Sequence, residues 1–404
     1  MAPVRGLFKN LILTVYFHKN HGIIHTMIRT EESKLTNWHF EIDRRLLWTV
    51  LILVAVGFMY VISAGSAAAD RIHMPWYFFL KKSIPFYMIG LTTLFGVSML
   101  NKKWIMGISA LNVAVGLLLL LVTFAMPHVI KGSARFVSLG PFNIMPSDIM
   151  KPGFVVMTAW FLTQMKSLYG ENIFTNKQAW QFKKISWWTY LGVFVPALLV
   201  IFRHPDVGTA VLYSSVFCAM TFMAGLPYWL VAIAGGIVVM GGITAFFTMS
   251  HVHNRVISFL TGTGDTFQVR QSVESIQHGG LLGSGDDAFV KDNLPDAHTD
   301  FIFATIAEDL GAIIACVLLC GLVYILKRLT TDALESRDPF VFYVAGGATA
   351  MFGVQTCINL ASTLHLIPPK GMTLPFISYG GSSFVAYCLL FGMVLALVRS
   401  DKWD

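Results

Sequence analysis

Leu46 to Ala68 reads LLWTVLILVAVGFMYVISAGSAA, twenty-three residues without an acidic or basic side chain. A hydrocarbon core about 30 Å thick is crossed by roughly 20 residues of α-helix. In that medium each backbone N–H and C=O must be satisfied within the protein, which a helix does for itself. The stretch therefore predicts a membrane-spanning helix. The same test along the chain gives ten spans, at 46–68, 83–100, 104–126, 148–168, 187–202, 206–225, 227–249, 301–326, 340–362 and 376–398. The expected fold is an all-α polytopic membrane protein of about ten helices, with a long outer loop, 250–300, between the seventh and eighth.

Composition agrees. Of 404 residues, 55% are hydrophobic and 13% charged, against roughly a quarter charged in soluble domains. Lysine and arginine mark the cytoplasmic side of such proteins. With both termini cytoplasmic, 18 of the 29 basic residues fall inside: seven before Leu46, Lys102 and Lys103, four from Lys166 to Lys184, three from Lys327 to Arg337, then Arg399 and Lys402. The net charge of +7 is then a topological signal suited to anionic membrane lipids, and no basic cluster with nucleic-acid character is left over. The expected organisation is a cytoplasmic segment 1–45, a membrane domain 46–399 and a short cytoplasmic tail 400–404. Leu11 to Phe17 is too short an apolar run for a signal peptide. Met27 opens a polar lead-in and is the expected translation start. The five cysteines all lie in predicted helices and are expected as small core residues.

Charges at the membrane edge are costly and so mark function. LPDAHTDF, Leu294 to Phe301, places Asp296, His298 and Asp300 at the lip of the eighth span. In the loop before it, Phe267, Val269, Val273 and Ile276 supply apolar anchors, while Gln268, Gln271, Ser272 and Ser275 share another face. That spacing predicts a short amphipathic helix at the interface, its polar face turned to a ligand or simply to water. Gly279, Gly280, Gly283 and Gly285 then permit a tight return. Asp148 and Lys151, three apart, predict an ion pair. Arg203 and Asp206 flank a proline in a similar way. Glu308 and Asp309, about 12 to 13 Å into the eighth helix at ~1.5 Å per residue, require partners, protonation or water. Pro375, Gly380 and Gly381 predict an irregular start to the last helix, which is tolerated at that depth only beside protein or a wet cavity. No phosphate-binding glycine loop and no zinc-spaced histidines occur, so no metal site is assigned.

Four segments together, LPFISYGGSS, LPDAHTDFIFATIAEDLG, HPDVGTA and PSD followed by Lys151, resemble the SEDS family of bacterial shape, elongation, division and sporulation proteins over about Asp43 to Arg399. AHTDFIFA and PPKGMTLPFISYGGSS look more like its FtsW division branch than its RodA elongation branch. The chain departs from the family pattern at His204, where glutamine is common, at Asp148, where glutamate is common, and at His365, where glycine is usual.

The resemblance implies a peptidoglycan glycosyltransferase in the bacterial inner membrane, polymerising lipid II onto nascent glycan at its outer face. It also implies a class B penicillin-binding protein, an FtsI-like transpeptidase, as partner, with other divisome proteins at the septum. Asp300 is the residue it marks as catalytic. A positioned carboxylate would take the proton of the attacking hydroxyl; the competing reading is that Asp300 caps the helix that follows. For the substrate diphosphate the expected cations are Arg203, Arg255 and Lys370, with Arg135 and Lys151 behind them. Gln268, Gln271, Ser272, His298 and Ser378 are the further expected substrate contacts. No cofactor is demanded, although a divalent cation on the diphosphate is compatible with the chemistry. A lipid II flippase, a scaffold for the transpeptidase and an elongation-type polymerase are the alternatives.

Overall fold

The computed structural model describes residues 13–16, 25–28, 34–125, 136–139, 142–204, 206–261, 267–288, 293–368 and 371–403. After the short α1 (Lys34–Glu41) come α2 (Arg44–Arg71), α3 (Phe78–Ser98), α4 (Lys102–Ala125), the single turn α5 (Pro146–Ile149), α6 (Lys151–Tyr169), α7 (Trp187–Arg203), α8 (Val207–Met223) and α9 (Tyr228–Thr248). Then follow α10 (Ser250–Thr261), α11 (Phe267–Gly279), α12 (Ile302–Glu335), α13 (Pro339–Thr363) and α14 (Gly381–Trp403). A helix thus falls on each of the ten apolar spans. Among the described residues five of them, α2, α4, α12, α13 and α14, are long and apolar enough to cross a membrane unaided, whereas α7 and α8 have 17 residues each. Two small antiparallel hairpins were not anticipated: β1 (Leu13–Tyr16) with β2 (His25–Ile28), and β3 (Val137–Leu139) with β4 (Phe142–Ile144).

Local chemistry sets the helix starts. Asp43 accepts hydrogen bonds from the Arg45 and Leu46 amides at 3.0 and 3.3 Å, capping α2. Asp206 caps α8 through the Thr209 amide, and Asp338 caps α13 with Pro339 just inside. The last span was expected from 376, but α14 begins at Gly381, because 375–379 forms a buried turn with Phe376 at φ 67°. Within α14, Tyr387, Leu390, Phe391, Met393 and Leu395 are buried, making this helix the axis against which α3, α6 and α13 pack. All five cysteines are free, but only Cys388 is a core residue. Cys218 is half-buried and Cys316, Cys320 and Cys357 are exposed on the outer faces of their helices, where a small apolar thiol can face lipid, so the expectation of five core cysteines is corrected.

α12 is broken at Gly311, where φ is 81° and ψ 174°. The glycine turn that follows α11 enters the break. Ser284 N donates to Glu308 O at 2.8 Å, Ala312 N to Gly280 O at 2.9 Å and Ile313 N to Leu281 O at 3.3 Å. The turn thereby satisfies backbone groups that the helix leaves open, as a low-dielectric setting demands. Contact is backbone to backbone: a Cβ on Gly311 would lie 2.4 Å from Leu281 O.

α11 forms where expected, but its orientation corrects the sequence reading. Its buried face is Val269, Ser272, Ser275 and Gly279, packed on α12, while Phe267 is exposed. Small residues win that face because they let two helix backbones approach closely. Ser272 donates to Thr363 O at 2.9 Å and Ser275 to the Glu308 carboxylate.

Charges sort to the two ends of the bundle. At one end Arg328 bridges Asp43 and Asp332, Arg399 meets Glu41 at 3.2 Å and Lys102 meets Asp338. The other end carries a cavity.

Candidate active site

A cavity of about 650 Å³ opens among the end of α2, the start of α3, α5 with the start of α6, the turn before α12, and the turn before α14. Arg71, Lys82 and Lys151 line it together with Asp148, Asp296 and Asp300. Phe79, Phe86, Met145 and Met372 supply apolar wall. Three cations and three carboxylates thus share one partly apolar enclosure, where interactions between charges are stronger than in water.

The LPDAHTDF segment is held by its apolar members. Leu294, Ala297 and Phe301 are buried against Val269 and Ala304. Asp296 takes a left-handed conformation, φ 55°, and its carbonyl accepts from the Thr299 and Asp300 amides at 3.0 and 3.1 Å. The resulting turn points both acids at the cavity. His298 is buried, its ring 4.3 Å from that of Phe79, and its carbonyl accepts from the Tyr379 amide at 2.9 Å. Tyr379 itself lines the cavity wall. The N-cap of α12 is Phe301, without a side-chain cap bond, so Asp300 stands one residue ahead of the cap position. Gly371, at φ 65°, lets the following loop pass close by: a Cβ there would lie 3.5 Å from Asp300 Oδ2.

Lys151 is 3% exposed. Its Nζ lies 2.6 Å from Asp148 Oδ1 and donates to Gln355 Oε1 at 2.6 Å. Ser382 donates to the other Asp148 oxygen at 3.1 Å. The shorter acid therefore reaches the lysine without strain in the chain between them.

The structure brings Asp300, His298, Asp148 and Lys151 to one cavity and places other expected contacts elsewhere. Arg203 is exposed at the end of α7 and does not line the cavity. Ser272 is turned into the α11 packing face. Ser378 is buried and accepts from the Leu374 amide at 2.9 Å, closing its own turn. Gln271 donates to Glu274 at 2.8 Å on the exposed face of α11, and Gln268 likewise lies off the cavity. Arg135, Lys370 and the Arg255 side chain lie outside the described residues. Among the described residues no group of three or more His, Cys, Asp or Glu side chains is gathered as a metal site would require.

Sequence reasoning passed over Arg71 and Lys82. Both count among the minority of bases off the cytoplasmic side, which was the available signal. Lys82 also lies over the Phe78 ring at 4.4 Å, one turn back on α3.

Residues 44–402 match the FtsW/RodA/SpoVE family of cell cycle proteins. The chain belongs to this family. A probable peptidoglycan glycosyltransferase FtsW of Caulobacter vibrioides is 35% identical over 382 residues, covering 93% of this chain and 94% of that protein. Stage V sporulation protein E of Bacillus subtilis is 30% identical, over 89% and 98%. Among solved structures, one chain of a peptidoglycan synthase complex matches with TM-score 0.71 at 24% identity, over 90% of this chain and 99% of that one. RodA of Thermus thermophilus matches with TM-score 0.62 at 24% identity, over 90% and 98%. The fold is that of these polytopic membrane proteins.

Two positions where this FtsW/RodA/SpoVE member departs from the common pattern have local explanations. His365 adopts φ 58°, a conformation glycine takes freely and histidine more readily than most residues. His204 is buried, with Nε2 2.5 Å from Thr123 Oγ1, and so ties α7 to α4.

Proposed function

We propose that this protein is a peptidoglycan glycosyltransferase of the division type, polymerising lipid II by a single inverting displacement. The observation that carries the reading is the meeting of Asp300 with Arg71, Lys82 and Lys151 around one cavity at one end of the bundle. Lipid II presents its sugar on an α-linked diphosphate and the glycan is β-linked, so one in-line attack by the acceptor hydroxyl suffices. Asp300 is the general base that takes the hydroxyl proton, a role worth about a hundred- to ten-thousand-fold in rate. A diphosphate is already a good leaving group. It needs fixed positive charge, which Arg71 and Lys82 supply and Lys151 reinforces.

In this reading the cavity faces the outer side of the bacterial inner membrane, both termini are cytoplasmic, and the membrane domain is 46–399, with 1–45 and 400–404 flanking it. Every contributing helix end then falls on the outer side by simple alternation. The partner is a class B penicillin-binding protein at the septum, which crosslinks the strands. The names of the relatives support this reading, as does the cavity chemistry.

The test supplies the purified protein, with its cognate transpeptidase, with labelled lipid II. Wild-type protein is expected to make glycan chains and Asp300→Asn to lose them by at least a hundredfold. Polymer undiminished in Asp300→Asn overturns the base assignment. Transbilayer movement of lipid II without polymer would make the protein a flippase instead.

A further inference from the structure

Gln355 and Asn359 lie one turn apart on α13, each 1% exposed. Buried amides inside a membrane bundle are costly unless bonded. Gln355 uses both ends of its amide, and Asn359 uses its N–H₂ twice, with its Oδ1 left without a hydrogen-bond partner among the described residues. Gln355 Oε1 accepts from Lys151 Nζ at 2.6 Å and from the Tyr387 hydroxyl at 2.8 Å, while its Nε2 donates to Thr373 O at 2.8 Å. Asn359 Nδ2 donates to Met372 O at 2.7 Å and to Asp300 O at 2.8 Å. The amide orientations follow from the partners: the Lys151 ammonium can only donate and so requires the Gln355 oxygen, and carbonyls can only accept and so require the N–H₂. Neither amide simply joins α13 to another helix. Together they fasten two successive carbonyls of the loop before α14, the backbone of Asp300 itself, and the Lys151 ammonium to one rigid turn.

We propose that Gln355 and Asn359 are positioning residues that hold Asp300, the loop 371–374 and Lys151 in fixed register across the cavity. The functional part of this inference rests on the glycosyltransferase reading. A helix is a stiffer ruler than a loop, and a displacement of about 1 Å in a reacting group can cost a hundredfold in rate. The acid is one residue outside its helix, and the two amides tie its backbone and the Met372 and Thr373 carbonyls to the helix that also holds Lys151.

Gln355→Glu and Asn359→Asp keep size and acceptor oxygen but remove the donated bonds to Thr373, Met372 and Asp300. With full-length protein and its transpeptidase, each is expected to lower kcat for lipid II polymerisation roughly ten- to a hundredfold, with KM changed less than about threefold. Amide hydrogen exchange, measured on the resting protein, is expected to quicken in peptides covering 294–301 and 371–379 and to stay unchanged in α2 and α14. Thr356, buried on the same helix with no hydrogen-bond partner among the described residues, gives the control: Thr356→Val should match wild type in both readouts. If Asn359→Asp does not accumulate, Asn359→Ser, whose hydroxyl is too short to reach Met372 O or Asp300 O, is expected to lose both bonds and to show the same fall in kcat and the same faster exchange. Wild-type kcat and wild-type exchange in the two amide variants would overturn the proposal, as would exchange raised evenly through the whole protein. Exchange needs no turnover. A wild-type protein that made no polymer would therefore sink the functional reading while the exchange pattern still decided whether the amides order the loop.

Discussion

Lys151 Nζ and Asp148 Oδ1 stand 2.6 Å apart across the junction of α5 and α6, with the lysine 3% exposed. A buried pair of this kind is weak evidence for stability as such, but removing one partner strands the other charge. Asp148→Asn is expected to destabilise the protein by about 3–5 kcal/mol. The double variant Asp148→Asn, Lys151→Met should recover most of that loss. Thermal unfolding of the three proteins in one detergent checks the order, and a double variant less stable than Asp148→Asn would refute it.

Arg71 and Lys82 line the cavity while Arg203 does not. Hydrogen bonds to charged groups are worth about 1.5–3 kcal/mol, or roughly ten- to a hundredfold. Arg71→Gln and Lys82→Gln are each expected to lower kcat/KM for lipid II by about tenfold or more, and Arg203→Gln by less than about twofold. Initial polymerisation rates at low lipid II decide it.

Glu308 is fully buried in α12, accepting from Ser275 and standing 3.0 Å from His278 Nδ1. It answers the sequence expectation that an acid this deep needs partners. Glu308→Ala would leave buried polar groups without their acceptor, a loss of about 1–3 kcal/mol. His278→Ala should cost less, since that side chain is 30% exposed. Unfolding midpoints that reversed the two would show that the histidine, not the acid, organises the cluster.

Gly279 packs so closely on α12 that an added Cβ would lie 2.0 Å from Ala307 O, and one on Gly311 would meet backbone at 2.4 Å. Neither neighbour can yield, because both are main chain. Gly279→Ala and Gly311→Ala are expected to abolish recovery of monodisperse protein. Gly192→Ala, at a helical position with open space around it, should be neutral or stabilising by up to about 1 kcal/mol. Size-exclusion profiles of the three variants provide the comparison.

Much of this protein was written in residue order. Unbroken apolar runs such as Leu46 to Ala68 specified helices, because a chain in hydrocarbon must bond its own backbone. The charged lip of LPDAHTDF pointed to the segment that lines the cavity, because charge near that medium is costly to keep. The Asp148 and Lys151 pair was legible from a spacing of three. Other features depended on which surfaces meet. The Ser272 face of α11 resembled a ligand-binding face until α12 covered it, since a serine pattern is the same whether it faces water or a close-packed helix. Gly279 to Gly285 signalled a turn but not that the turn fills the break at Gly311, a contact across some thirty residues of chain. Arg71 and Lys82 lie far in sequence from Asp148, Asp296 and Asp300, which two other segments bring to the cavity they line. Periodicity and solvation energy act along the chain and can be read there; the pairing of Asn359 with Asp300, or of Gln355 with Lys151, exists only once helices distant in sequence pack at fixed separation, and tertiary structure alone decided it.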